Sequence, residues 1–329
     1  MRTELALLAA ALAVAVAGWL SPDWLSFLLT LAFAKALVVI GVVVQMRVGL
    51  VTFGQALFYC IGGYAAGLGA QYLGVRDAFA LLATGVGVAV LLAAVCGLLL
   101  ARYRDIFFAM LTMALSMILF GVLVKSSALG STDGFNVSTP TYFGWEPTPE
   151  SAKRWVFLLT VAVSGVAAVV FHRLMRSGLG LVTEAIRENE IRVEYLGVSP
   201  RAVIYANYLA AAAVSALGGG LTALATGHID PDMAFWTTSG EFVFIAILGG
   251  TGHVAAAFVA AFVFAVVRTF AIQEAPHTWQ LTLGVVLLVL IIFLPKGLWS
   301  LVSRKKQPAA HAADNRSAAP AAATPEAAA

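Results

Sequence analysis

Long apolar runs separated by short polar intervals organise this chain. Measured against the roughly 20 residues a helix needs to cross a bilayer, they number about ten: 4–20, 24–44, 50–73, 78–101, 106–124, 155–171, 202–227, 233–250, 254–272 and 279–294. The pattern predicts an all-α fold, a polytopic bundle of transmembrane helices. The eighth run opens on Thr237-Thr238-Ser239-Gly240 and holds Glu241, so it is expected either to span or to form a short, re-entrant helix buried in protein. The first run is expected to be a retained span. Arg2 ahead of it and the small residues Val16-Ala17-Gly18 leave a signal peptide as the alternative, with nine spans remaining.

One polar interval is too long for a connector. Between His172 and Pro200, the residues Val182, Ala185, Ile186, Asn189, Val193 and Leu196 recur at helical spacing, with Glu184, Arg187, Glu188, Glu190, Arg192 and Glu194 on the other faces. That predicts one short amphipathic helix. Glu188 and Arg192 stand i,i+4 in the favourable order, but Glu184/Glu188 and Glu190/Glu194 are like-charge pairs at the same spacing. Gly197 fits the left-handed stop, and Ser199-Pro200 fits an N-cap and first-turn proline for the next span. Such a helix either lies on the membrane interface or docks a protein. Interfacial helices favour Lys and Arg on the polar face, whereas this face mixes acids and bases, which suits a protein partner.

Composition agrees with the pattern. Of 329 residues, 61% are hydrophobic and 11% charged, too little polar surface for a soluble globule. Positive charge is retained on the cytoplasmic side. The loops holding Arg47, then Arg102 and Arg104, then Arg173, Arg176, Arg187, Arg192 and Arg201, and finally Lys296, Arg304, Lys305 and Lys306, are therefore expected there, in the cell inner membrane with both termini cytoplasmic. The opposite side takes Asp23, Arg76-Asp77, the loop from Lys125 to Arg154 and the turn His228-Ile229-Asp230-Pro231-Asp232. The membrane domain is expected to fill 1–301, with the segment 172–200 as its cytoplasmic insertion, and an Ala/Pro-rich tail without large apolar residues to follow over 302–329. A net charge of +3, without basic runs interleaved with aromatics, gives nucleic-acid binding little support.

Candidate chemistry is sparse. Cys60 and Cys96 lie in apolar runs and read as small buried hydrophobes, and His172, His228, His253, His277 and His311 are scattered, so no metal site is expected. Gly249-Gly250-Thr251-Gly252-His253 lacks the lysine of a phosphate-binding loop. No nucleophile, base or carboxylate constellation can be assembled either, which argues against an enzyme. Two charges fall inside runs, Lys35 and Glu241, and they either pair, face a pathway, or sit at interfaces. Gly62, Gly63 and Gly67, and the run Gly218-Gly219-Gly220, suit close helix packing.

Ordered stretches resemble a family. Gly49-Leu50-Val51-Thr52-Phe53-Gly54-Gln55-Ala56-Leu57-Phe58 with Ile61-Gly62-Gly63-Tyr64, then Arg104 to Thr112, Thr132-Asp133-Gly134, Ala185-Ile186-Arg187-Glu188-Asn189-Glu190 with Leu196-Gly197, and finally Pro231-Asp232 and Leu248 to Gly252, are similar to landmarks of branched-chain amino-acid ABC transporter permeases of the larger, M-type subunit. The resemblance runs from about Gly41 to Leu298. It implies an importer subunit with no cofactor of its own and ATP hydrolysed on two separate ATP-binding subunits. It also implies a second homologous permease, a periplasmic solute-binding protein and a small polar solute. Glu184, Ala185, Arg187, Glu188, Asn189, Glu190 and Arg192 would form the ATPase-coupling helix, which Gly197 ends. Gln55 stands where many members have His, Thr52 where Ser is common, and Glu190 where the general coupling motif places Gly. Those departures bear on the substrate, for which urea, short amides or other amino acids compete with branched-chain amino acids. An ion-coupled secondary transporter is the other class to weigh, and it would usually show several buried acids or repeated broken helices.

Overall fold

The computed structural model describes residues 2–72, 74–148, 151–274, 276, 278–293 and 297–299. Among them the chain forms twelve α-helices: α1 (Arg2–Leu20), α2 (Asp23–Val48), α3 (Gln55–Tyr72), α4 (Ala78–Leu100), α5 (Asp105–Lys125), α6 (Ala152–Arg176), α7 (Gly178–Glu188), α8 (Glu190–Tyr195), α9 (Pro200–Thr226), α10 (Trp236–Gly249), α11 (Val254–Glu274) and α12 (Trp279–Phe293). Seven of them, α1, α2, α4, α5, α6, α9 and α11, are long and apolar enough to cross a membrane. With the shorter apolar helices α3, α10 and α12, the all-α polytopic bundle has about the expected number of membrane segments.

α9 is the hub, packed against α2, α3 and α4. Small residues make that possible, because a side chain at the contact would hold the backbones apart. A Cβ on Gly62 of α3 would run into the Ala216 backbone, one on Gly219 into the Tyr59 carbonyl, and one on Gly218 would lie 2.5 Å from the Ala34 carbonyl oxygen. Gly220 faces the Leu82 side chain, Gly63 faces Met233, and Gly67 faces Ile229 and Phe135. The buried stretch Ala34–Val44 of α2 and the aromatic pair Phe58 and Tyr208, with ring centroids 5.4 Å apart, fill the core around this hub.

The helix ends sort onto two faces. One face gathers the ends of α2 and α6, the starts of α1 and α11, the α4–α5 turn and the α7–α8 segment, as the ties Arg47–Glu184, Arg47–Thr251, Arg104–Glu190 and Glu4–Arg173 record. The far face gathers the start of α2, the α3–α4 turn and the loop after α5. There Asp77 caps α4 by accepting from the Phe79 and Ala80 amides at 3.0 and 3.1 Å, and it also holds the Phe143 amide at 2.6 Å. A two-residue antiparallel pair, β1 (Phe135–Asn136) with β2 (His228–Ile229), closes that face. The arginine-rich loops among the described residues all fall on the first face and the acidic turn on the second, the partition that the charge pattern predicts.

Two expectations need correction, and the eighth run takes the shorter of its two alternatives. The third run, 50–73, is helical only from Gln55, and 49–54 is a non-helical stretch. The eighth run contributes a helix of 14 residues, about 21 Å long at 1.5 Å per residue, short of the roughly 30 Å of a hydrocarbon core. The amphipathic segment is two helices, broken at Asn189. Residues Leu73, His277, Leu294 and Lys296, and the tail with Arg304, Lys305, Lys306 and His311, lie outside the described residues.

Candidate functional site

The amphipathic segment is divided because Asn189 does what asparagine does well at a helix start. Its backbone is extended (φ −160°, ψ 100°) and its side-chain oxygen accepts from the Arg192 amide at 2.9 Å, capping α8. Glu188 and Arg192 therefore stand on different helices, and the i,i+4 support expected between them is absent. The inward stripe also differs from the periodicity. Gly180, Thr183 and Ile186 of α7 and Val193 of α8 are buried, whereas Ala185, Asn189 and Leu196 are exposed. Thr183 turns in because it is satisfied there, donating to the Leu179 carbonyl at 2.7 Å and accepting from Asn207 Nδ2 at 3.1 Å. Gly197, at φ +82°, ends the segment as expected, and Ser199 occupies the next N-cap position without a side-chain capping bond.

Two arginines bind this segment to the bundle. Arg47, at the end of α2, donates to Glu184 at 2.6 Å and to the Thr251 carbonyl at 3.3 Å. Arg104, in the α4–α5 turn, grips Glu190 with Nε and Nη2 at 2.9 and 2.7 Å, a planar bidentate pair. That guanidinium holds the Glu190 carboxyl below its usual range, against a smaller upward push from burial. Arg187 lies over Gly49, whose left-handed backbone (φ +92°) ends α2. The outward side is bare and mixed, with the charged Glu188, Arg192 and Glu194 exposed beside Ile191, Tyr195 and Leu196 at 66%, 88% and 77% exposure.

Within the bundle, two helices begin at membrane depth. The stretch 49–54 climbs from the arginine-rich face to α5, where Phe53 N–H donates to Thr112 Oγ1 at 3.3 Å, seven residues and so about 10 Å along that helix. α3 starts there, its Ala56 amide donating to Ser239 Oγ of α10 at 3.0 Å. From the far face, residues 227–235 descend until Ser116 Oγ of α5 donates to the Ala234 carbonyl at 2.7 Å, about 16 Å from the start of α5, and α10 starts beside it. Each break leaves backbone groups that lipid cannot satisfy, and hydroxyls of neighbouring helices satisfy them. Gly54 is pressed on Thr112, where an added Cβ would come within 2.8 Å of Thr112 Cβ. Gln55, fully buried, accepts from Ser215 Oγ at 2.7 Å.

Lys35 and Glu241 do meet, with Nζ 2.5 Å from Oε1. Arg268 of α11 joins them, donating from Nη1 to both Glu241 oxygens at 3.1 and 3.3 Å. One carboxylate on the short helix α10 thus joins α2 to α11.

This geometry has a counterpart among known sequences. The profile of the family described as branched-chain amino acid transport system / permease component matches residues 24–294, most of the chain. The chain belongs to that family. It is 29% identical over 276 residues to the high-affinity branched-chain amino acid transport system permease protein LivM of Escherichia coli (strain K12), and 28% identical to LivM of Salmonella typhimurium (strain LT2). Each alignment covers 76% of this chain and 64% of the relative, so the chain spans less than two thirds of the length of these relatives. No solved structure matches.

In this chain the structure brings together residues that lie far apart in sequence. Arg268 is open to the same reasoning as Lys35 and Glu241, since it too is a charge within an apolar run, and it completes their cluster. Arg47 and Arg104 meet Glu184 and Glu190 across 137 and 86 residues, a separation that no spacing argument reaches. His172 and His253, read as scattered, have ring centroids 5.3 Å apart.

Proposed function

We propose that the chain is the membrane-spanning permease subunit of an ATP-driven importer that carries branched-chain amino acids across the inner membrane. The observation carrying this function is the docking segment: bound inward to α2 and to the α4–α5 turn by Arg47 and Arg104, and bare outward at Ile191, Tyr195 and Leu196, in a chain of a permease family. The branched-chain substrate comes from the names of the relatives. The docking face is cytoplasmic, in keeping with its arginines. Its partners are two ATP-binding subunits there, a second related permease in the membrane and a solute-binding protein on the far face. The chain itself carries no cofactor, and ATP is used by the partners.

Closure of the ATP-binding subunits displaces α7 and α8. The arginine ties pass that displacement to α2 and to the α4–α5 turn, because packed helices move as rigid bodies. The breaks at 49–54 and 227–235 give α3 and α10 ends that move independently of the continuous spans, with Ser239–Ala56 and Lys35–Glu241–Arg268 as the contacts that must shift or hold. Reconstitution of the chain with all of these partners in proteoliposomes tests this. Leucine accumulation is expected to require ATP and the solute-binding protein, with urea and short amides excluded. Accumulation driven by an ion gradient without the ATP-binding subunits would overturn it.

A further inference from the structure

α1 packs chiefly against α6, and a groove remains between it and α11. At the docking face this groove opens into a cavity of about 600 Å³ whose polar lining is Thr3, Arg47, His172, Arg176, Glu184 and His253. Toward the bilayer centre lies a second, apolar space of about 380 Å³, walled by Leu7, Ala10 and Val14 of α1 and by Ala255, Phe258 and Val259 of α11, with α2 and α6 behind it. The two spaces share one stripe of each helix, since Thr3, Leu7, Ala10 and Val14 follow one another at helical spacing, as do Val254, Ala255, Phe258 and Val259.

The polar end is arranged for a single negative charge. Arg47 and Glu184 neutralise one another at 2.6 Å, and no second carboxylate lines the cavity. Arg176 makes no hydrogen bond or ion pair among the described residues, and it is exposed. His253 accepts the Ala255 amide on Nδ1 at 3.1 Å, so its neutral ring carries the proton on Nε2 as a donor. His172 Nε2 is held by Thr3 Oγ1 at 3.0 Å. A cation and a donor at the level where spans end, above an apolar channel, match a phosphodiester with an acyl chain attached. A free phosphate would have no use for the channel.

We propose that the groove between α1 and α11 holds one anionic phospholipid, its phosphodiester beside Arg176 and His253 and one acyl chain between the two helices. The headgroup then rests on the Arg47–Glu184 tie, so the lipid braces the inner side of the docking segment. The test uses the assembled transporter, stripped of lipid in detergent and titrated with phosphatidylglycerol, phosphatidylcholine or inorganic phosphate, with retained lipid counted by native mass spectrometry. One phosphatidylglycerol per chain is expected, with phosphatidylcholine bound far more weakly. Arg176→Gln should weaken retention about fivefold, the loss for one basic residue beside an anionic lipid. Ala10→Phe, which fills the channel from an exposed position, should weaken it independently. Equal retention of phosphatidylcholine, or retention unchanged in both variants, would overturn the proposal. So would displacement of the lipid by inorganic phosphate with Ala10→Phe silent, which would reveal a site for the free anion.

Discussion

Glu241 accepts from Lys35 and Arg268 at once, and that asymmetry sets the cost of removing each partner. Glu241→Gln takes away the carboxylate that both cations share, and breaking a largely buried pair in this way costs about 3 kcal/mol. Lys35→Met removes one charge and leaves Glu241 with Arg268, so it should cost clearly less. Thermal unfolding of the two variants in the same detergent checks the order, and equal shifts would show that the triad is not held together by Glu241. Glu190 offers a pH signature. Its carboxyl is held low by Arg104, so the stabilisation from that pair is complete above the unfolded value of about 4.3 and is lost as pH falls through the lowered folded value. Acid is therefore expected to loosen α8 before the spans, visible as faster amide exchange at 190–196, and Arg104→Gln should show that exchange already at neutral pH. Single charges within apolar runs were legible from sequence because membrane burial makes them conspicuous. Their pairing is only one of the alternatives that the sequence allows, because Lys35 and Glu241 are 206 positions apart.

The elements misread from sequence are those whose starts are decided by other elements. Leu50, Val51 and Phe53 are as apolar as the rest of their run, so nothing local separates 49–54 from α3. The separation depends on Thr112 of α5 and Ser239 of α10, which take the amide protons of Phe53 and Ala56. Ser239→Ala should therefore act at a distance. The buried Ala56 amide loses its acceptor, an effect of about 1–2 kcal/mol, and exchange should quicken at the start of α3 while α10, which keeps its own backbone bonds, is little changed. Acceleration confined to α10 would contradict this. The opposite error occurred at Asn189, where periodicity predicted continuity through a residue whose side chain starts a new helix. In both places a local polar group, in cis or in trans, overrode a valid apolar pattern. The long continuous spans, by contrast, were found close to their bounds, because bilayer thickness alone fixes their length.

For the whole molecule, the sorting of helix ends onto two faces followed from charge, and the order of family landmarks followed from sequence. What neither could supply is the route by which the docking segment grips the bundle. That route passes through Arg47–Glu184, a pair with one buried and one exposed partner, at 12% and 55% side-chain exposure. Such a pair contributes little to stability, about 0.5–1 kcal/mol at most. If its role is to pass displacement from α7 to α2, removing it should leave folding and assembly nearly intact and impair the link between ATP hydrolysis and uptake. Arg47→Glu and Glu184→Arg are each expected to lower ATP-driven uptake several-fold with unfolding temperatures close to those of the parent chain. The double exchange restores the opposite charges but leaves a carboxylate facing the Thr251 carbonyl, to which Arg47 now donates. Recovery should therefore be partial, clearly above either single variant and below the parent. Uptake that follows stability across all three variants would instead make the tie a brace, and Arg104–Glu190 would then be the path by which α8 moves the spans.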